Sequence, residues 1–145
     1  MPKFNTSAAV TFLYFNDLAR AAGFYEHTLG LELVVDQGWC KIFAIAPGAF
    51  VGLVDGEHGT HKANSTKPVI LGFCSDQLDE WYAHFKAENV RIFKELKQHD
   101  TIGVRGFMAL DPEGHTLEFQ SFTDDPRNAR MLTLLAGFRD RSQSK

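Results

Sequence analysis

The sequence predicts an α+β fold made of two βαβββ modules and closed by a C-terminal helix. Strand-like runs and one capped amphipathic stretch follow in the order β-α-β-β-β; a polar, Gly-containing segment intervenes, and the same order restarts. The two successions also overlay. At an offset of 60, Asn16 meets Asp76, Leu18 meets Leu78 and Tyr25 meets Phe85; at 59, Gly30 meets Asn89, Leu31 meets Val90 and Leu33 meets Ile92. A second helix one residue shorter accounts for the change.

Residues 1–7 read as a loose tail. Val10 to Phe15 is β-branched and aromatic, a strand. Asn16 is a good N-cap and Asp17 suits a first helical turn. Leu18, Ala21, Ala22, Tyr25 and Leu29 recur at helical spacing until Gly30 stops the helix. Leu31, Leu33 and Val35 alternate as a strand that Gly38 breaks. Cys40 to Ala46 and Ala49 to Val54 are two more strands, joined by a Pro47-Gly48 turn.

Asp55 to Lys67 is polar and reads as a linker. Val69 to Cys74 then opens the second module. Ser75 or Asp76 caps a helix whose apolar positions are Leu78, Trp81, Tyr82 and Phe85, and Asn89 takes the left-handed stop. Val90 and Ile92 form a strand, Lys94 to Thr101 a polar loop, and Gly103 to Leu110 a further strand. Asp111-Pro112-Glu113-Gly114 has tight-turn chemistry, and Thr116 to Phe122 alternates behind it. Leu117 and Phe119 want a core, while Glu118 sits mid-strand on the other face, where a charge needs water or a function. A last helix starts after Thr123-Asp124-Asp125-Pro126. Met131, Leu132, Leu134, Leu135 and Phe138 give it an apolar face that must dock on the domain or on another subunit, and a basic tail frays behind it. The whole is expected as one domain, 1–145: modules over 8–55 and 67–122, a linker over 56–66, and the helix and tail over 123–145.

Composition narrows the function classes. The chain is 44% hydrophobic and 23% charged, as in globular proteins. Net charge is -3 with scattered Lys and Arg, which argues against nucleic acid or an anionic membrane as partner. No apolar run approaches a membrane span and no signal segment opens the chain, so a cytoplasmic location is expected. Cys40 and Cys74 form no C-x-x-C and read as two buried thiols. Thirteen Phe residues are many for this length; some form core, and a surplus can line a cavity for an apolar or planar ligand.

Four features carry a family resemblance: the paired modules, the Asn-Asp-Leu helix start, the helix exit Phe24-Tyr25…Leu29-Gly30-Leu31, and Asp-Pro-Glu-Gly-His-x-x-Glu-Phe from Asp111 to Phe119. Together these resemble the vicinal oxygen chelate superfamily of glyoxalase I, bleomycin-resistance proteins and extradiol dioxygenases, over residues 8 to 122. The resemblance implies modules whose mixed sheets curl into a cup, helices outside and ligand inside, often completed by a second subunit. With Leu13, Phe15, Leu71, Phe73, Leu117 and Phe119 turned to the helices, the opposite face presents Val10, Phe12, Tyr14, Ile70, Gly72, Cys74, Glu118 and Gln120.

Members that do metal chemistry hold the ion with His or Glu on the first and last strand of each module. Carried over, Glu118 matches. The other positions hold Val10, Gly52 and Ile70, or Val69 in a shifted register. A divalent ion needs about three or four converging donors. No cofactor is therefore expected, and a divalent metal is disfavoured. His27 and His84 fall on helices and His115 at the turn. His58-x-x-His61 is in the linker, and His99 in the polar loop within possible reach of the cup mouth.

Glu118 and Tyr14 are the candidate catalytic residues. Glu118 would act as a general base or ligand acceptor; the plainer alternative pairs it with Lys41, Arg105 or Tyr14. Phe12, Tyr14, Trp39, Ile70, Cys74, Met108, Glu118 and Gln120 are the candidate ligand-binding residues. The expected function is that of a metal-free, homodimeric binder of a small, partly aromatic molecule. The alternative is a lyase, isomerase or dioxygenase-type enzyme using Glu118 with an atypical metal or acid/base partner. Whether it is an enzyme stays open at this level.

Overall fold

A computed structural model describes residues 4–143, with side chains through Arg139. The described chain forms two units, one of residues 4–68 with 111–115, the other of residues 69–110 with 116–143.

In the first unit, β1 (Ala9–Phe15), β2 (Glu32–Asp36), β3 (Cys40–Ala46) and β4 (Ala49–Asp55) form a sheet of order β1-β4-β3-β2, with β1 parallel to β4 and the other pairs antiparallel. α1 (Leu18–Gly23) covers one face. It continues as a π-helical turn, Phe24–Thr28, before Gly30 takes its positive φ of 69°. Ala21, Tyr25 and Leu29 from this helical stretch are buried with Leu13, Phe15, Phe43, Val51 and Leu53. Tyr25 meets Phe15 edge-on and lies tilted against Phe43.

The second unit repeats the plan. β5 (Ile70–Cys74), β6 (Ile92–His99), β7 (Val104–Leu110) and β8 (Thr116–Phe122) are ordered β5-β8-β7-β6, with β5 parallel to β8. α2 (Leu78–Ala87) packs Phe85 against Phe107 and Phe119, and Phe119 also stacks on Phe73. Fully burying an aromatic side chain contributes roughly 1.5–3 kcal/mol, so this knot of four rings anchors the unit. A 3-10 turn, Pro126–Asn128, leads into α3 (Ala129–Gln143). Both modules and the C-terminal helix are thus present.

Several details depart from the sequence reading. The N-cap of α1 is Asp17, whose carboxylate accepts from Arg20 N–H; Asn16 lies one residue outside. Gln77 holds the cap position of α2, and Ser75 Oγ accepts from its N–H. The expected loop from Lys94 is strand: β6 runs to His99, with two bulges against β7. The bulges hide the two-residue alternation by which a strand is recognised. α3 stays helical to Gln143 rather than fraying after Phe138; the side chains of 140–145 lie outside the described residues. Its Met131, Leu134 and Phe138 are exposed.

Candidate functional site

The Asp111–Gly114 turn folds as its chemistry dictates. Asp111 Oδ1 accepts from the N–H groups of Glu113 and His115, each at 2.9 Å, and Gly114 has φ 91°. Asp111 Oδ2 accepts from Tyr25 Oη and lies 2.9 Å from His115 Nδ1. A carboxylate can only accept, so Nδ1 carries the hydrogen. Asp111, His115 and Tyr25 are all buried. Burial first, then the charge and hydrogen bond of Asp111, hold the Tyr25 phenol well above its usual pKa. Glu113, from the same turn, accepts from Asn16 N–H and Asp17 N–H at 2.8 Å each and so caps α1 from outside the helix. His115 is therefore a core residue, and this part of the Asp-Pro-Glu-Gly-His motif is architecture.

The face of the first sheet away from α1 carries Val10, Phe12 and Tyr14 on β1. Val10 and Phe12 are exposed. The Phe12 ring lies on Gly52, its partner across the β1–β4 ladder; a Cβ there would stand 2.5 Å from a ring carbon. Tyr14 is half-buried beneath the linker. His61 meets its ring edge-on at 5.5 Å between centroids, and Gly59 leaves no room for a Cβ against Tyr14 and Val54. The linker is thus folded onto the strand face. Trp39, just before β3, is exposed, and its carbonyl accepts from Asp55 N–H.

The face of the second sheet away from α2 is built by register. Residues opposed across a ladder share a face. Gly72, Glu118, Met108 and Lys94 make one row; Cys74, Gln120, Gly106 and Lys97 make the next. Ile70, Thr116 and Leu110 flank them, and Val104 brings His99 alongside on β6. Register thereby assigns Met108 and Leu110 to the Glu118 face. Ile70 is exposed, and so is Cys74, which the sequence suggests as a buried thiol but whose strand turns it away from α2; Glu118, Gln120 and Met108 are half-buried. The Cys74 thiol is pushed up by burial and then by the Glu118 charge.

The cations suggested as partners of Glu118 are engaged elsewhere. Lys41 Nζ lies 2.7 Å from Asp36, and Arg105 pairs with Asp79 at 2.9 Å. The Glu118 carboxylate has no hydrogen bond or ion pair among the described residues. His99 is exposed at the end of β6, His58 pairs with Asp55, and His27 stands beside Glu26. Lys94 and Lys97 lie in a stretch that reads as loop because the bulges conceal its strand.

At the positions where metal-binding relatives place ligands, the first sheet offers Val10 and Gly52, and the second, taken by itself, offers Ile70 and Glu118. Neither pair supplies the roughly three or four donors that a divalent ion needs. Among the described residues no three His, Cys, Asp or Glu side chains converge. What the second face can do is accept a hydrogen bond or proton at Glu118, exchange amide hydrogen bonds at Gln120, and bury apolar surface on Ile70, Met108 and Leu110.

A family model for the Glyoxalase/Bleomycin resistance protein/Dioxygenase superfamily matches residues 7–119. No curated protein matches the chain. Among solved structures, a lactoylglutathione lyase from Agrobacterium tumefaciens is 22% identical, with a TM-score of 0.67 over 82% of this chain and 96% of that one. TioX from Micromonospora sp. ML1 is 19% identical, TM-score 0.68, over 81% and 99%. A glyoxalase/bleomycin resistance protein/dioxygenase from Nocardioides is 19% identical, TM-score 0.66, over 86% and 87%. At these identities the solved structures speak for the fold alone, whereas the family model spans most of the sequence. The chain belongs to the glyoxalase/bleomycin resistance protein/dioxygenase superfamily.

Proposed function

We propose that this protein binds a small, partly aromatic molecule without a metal, on the sheet face that carries Glu118. One observation carries the reading. Three of the four positions that hold the metal in ion-dependent relatives are Val10, Gly52 and Ile70, and the ring of Phe12 occupies the space over Gly52. The exposed apolar surface of Ile70, on the same face as half-buried Met108 and Leu110, supports a ligand-binding use of the second face. Two free thiols, Cys40 and Cys74, suit a reducing cytoplasm. The reading also includes a homodimer in which the second copy covers Met131, Leu134 and Phe138. A monomer by light scattering at micromolar concentration would remove that part.

The test is native mass spectrometry together with metal analysis of the purified chain. An organic adduct with substoichiometric Mn, Fe, Ni and Zn is expected. One equivalent of metal, lost on Glu118→Gln, would overturn the reading. The lack of any ion pair on Glu118 favours one second reading, in which it takes a proton from a bound substrate. Turnover of an isomerase-type substrate that disappears in Glu118→Gln would establish that instead.

A further inference from the structure

We infer that the molecule taken by the Glu118 face is an organic anion, its acidic group held by Lys94 and Lys97 and its hydrogen-bond donor by Glu118; this rests on the ligand-binding reading above. Lys94 stands opposite Met108, itself opposite Glu118, and Lys97 stands opposite Gly106, itself opposite Gln120. The bulges between Ile92 and Lys97 bring both lysines to the face away from α2; Glu95, between them, instead lines a hollow with Tyr82 and Lys86 of α2. Neither lysine has an ion pair among the described residues, whereas Lys41, Arg105, Arg127 and Arg139 each have a carboxylate partner. Two ammonium groups with no carboxylate partner among the described residues therefore border an apolar strip on a chain whose net charge is -3.

The spacing sets the ligand class. Lys94 lies two strands from Glu118, about 10 Å between backbones at the usual strand separation. The two lysine rows are about 7 Å apart along the strands. A single ring system bearing a carboxylate, sulfonate or phosphate on one side and an N–H or O–H on the other spans that gap. The ring then lies over Met108 and Leu110. The rival explanation is that lysines on β6, an edge strand, merely prevent edge-to-edge pairing. That role needs charge at the edge but not placement in the rows of Glu118 and Gln120.

Two dyes separate these possibilities. 8-Anilinonaphthalene-1-sulfonate has the ring, the N–H and the acid; N-phenyl-1-naphthylamine lacks only the acid. Both are titrated against the wild type, Lys94→Ala/Lys97→Ala and Ile70→Lys, with thermal melting as a check on folding. The double substitution should weaken the sulfonate by about tenfold, the scale of a lost charge-assisted contact, and leave the neutral dye unchanged. Ile70→Lys should weaken the neutral dye. Equal losses for both dyes, no loss for either, or aggregation of the double variant with unchanged sulfonate affinity would overturn the inference while the binding reading stands. If neither dye binds the folded wild type, or if Ile70→Lys leaves neutral-dye binding intact, the binding reading on this face fails, and the inference with it.

Discussion

The hydroxyl of Tyr25 donates a 2.9 Å hydrogen bond to Asp111, a residue 86 positions later in the chain. The same carboxylate holds the His115 ring and organises its own turn, while Glu113 of that turn caps α1. A turn that interrupts the second module's strands thereby completes the first unit. It is fixed by hydrogen bonds to a buried acid rather than by apolar packing alone.

Tyr25→Phe should destabilise the fold by roughly 1–3 kcal/mol, the cost of leaving a buried acceptor one donor short. It should also change the alkaline limb of stability. The folded state holds the phenol proton to higher pH than the unfolded chain does. The resulting stabilisation is complete below the unfolded tyrosine value of about 10 and is lost as pH rises from there through the folded value. Urea denaturation from about pH 8 to 11 should show a gap between wild type and variant that narrows as pH rises. A constant gap would show that this phenol does not titrate on unfolding.

Two glycines on the Glu118 face should respond unequally to alanine. At Gly106 a Cβ would stand 2.6 Å from the Phe119 carbonyl oxygen, a backbone atom fixed in the ladder. Gly106→Ala should cost roughly 1–3 kcal/mol, as overpacking does. At Gly72 the nearest contact is the Gln120 amide at 3.6 Å. Gly72→Ala should change stability by no more than about 0.5 kcal/mol, like other open surface sites. Thermal melts of the two variants provide the comparison, and an equal effect would mean that the β7–β8 register differs from that described.

Cys74 should report on Glu118. Its thiol is raised by burial and by the neighbouring carboxylate, so at neutral pH little thiolate is present. Glu118→Gln removes the second cause, and iodoacetamide should then alkylate Cys74 faster at about pH 8, below the thiol's ordinary value. Cys40, 2% exposed, should stay silent in native protein. An unchanged rate, read by mass spectrometry with Cys74→Ser as control, would show that the carboxylate does not influence the sulfur.

What the sequence determined by itself was the order of elements and, where alternation runs unbroken, the two faces of a strand. Alternation in Thr116–Phe122 separated Leu117 and Phe119 from Glu118 because side chains on a strand alternate by geometry alone. Tertiary structure decided what each polar group meets. Asp111 and His115 read as turn residues until Tyr25 arrived from the first helix. Lys94 and Lys97 read as loop until pairing with β7 gave them a face. Local periodicity is a property of consecutive residues, but a hydrogen bond across 86 residues or a bulged register exists only once distant strands have been brought side by side.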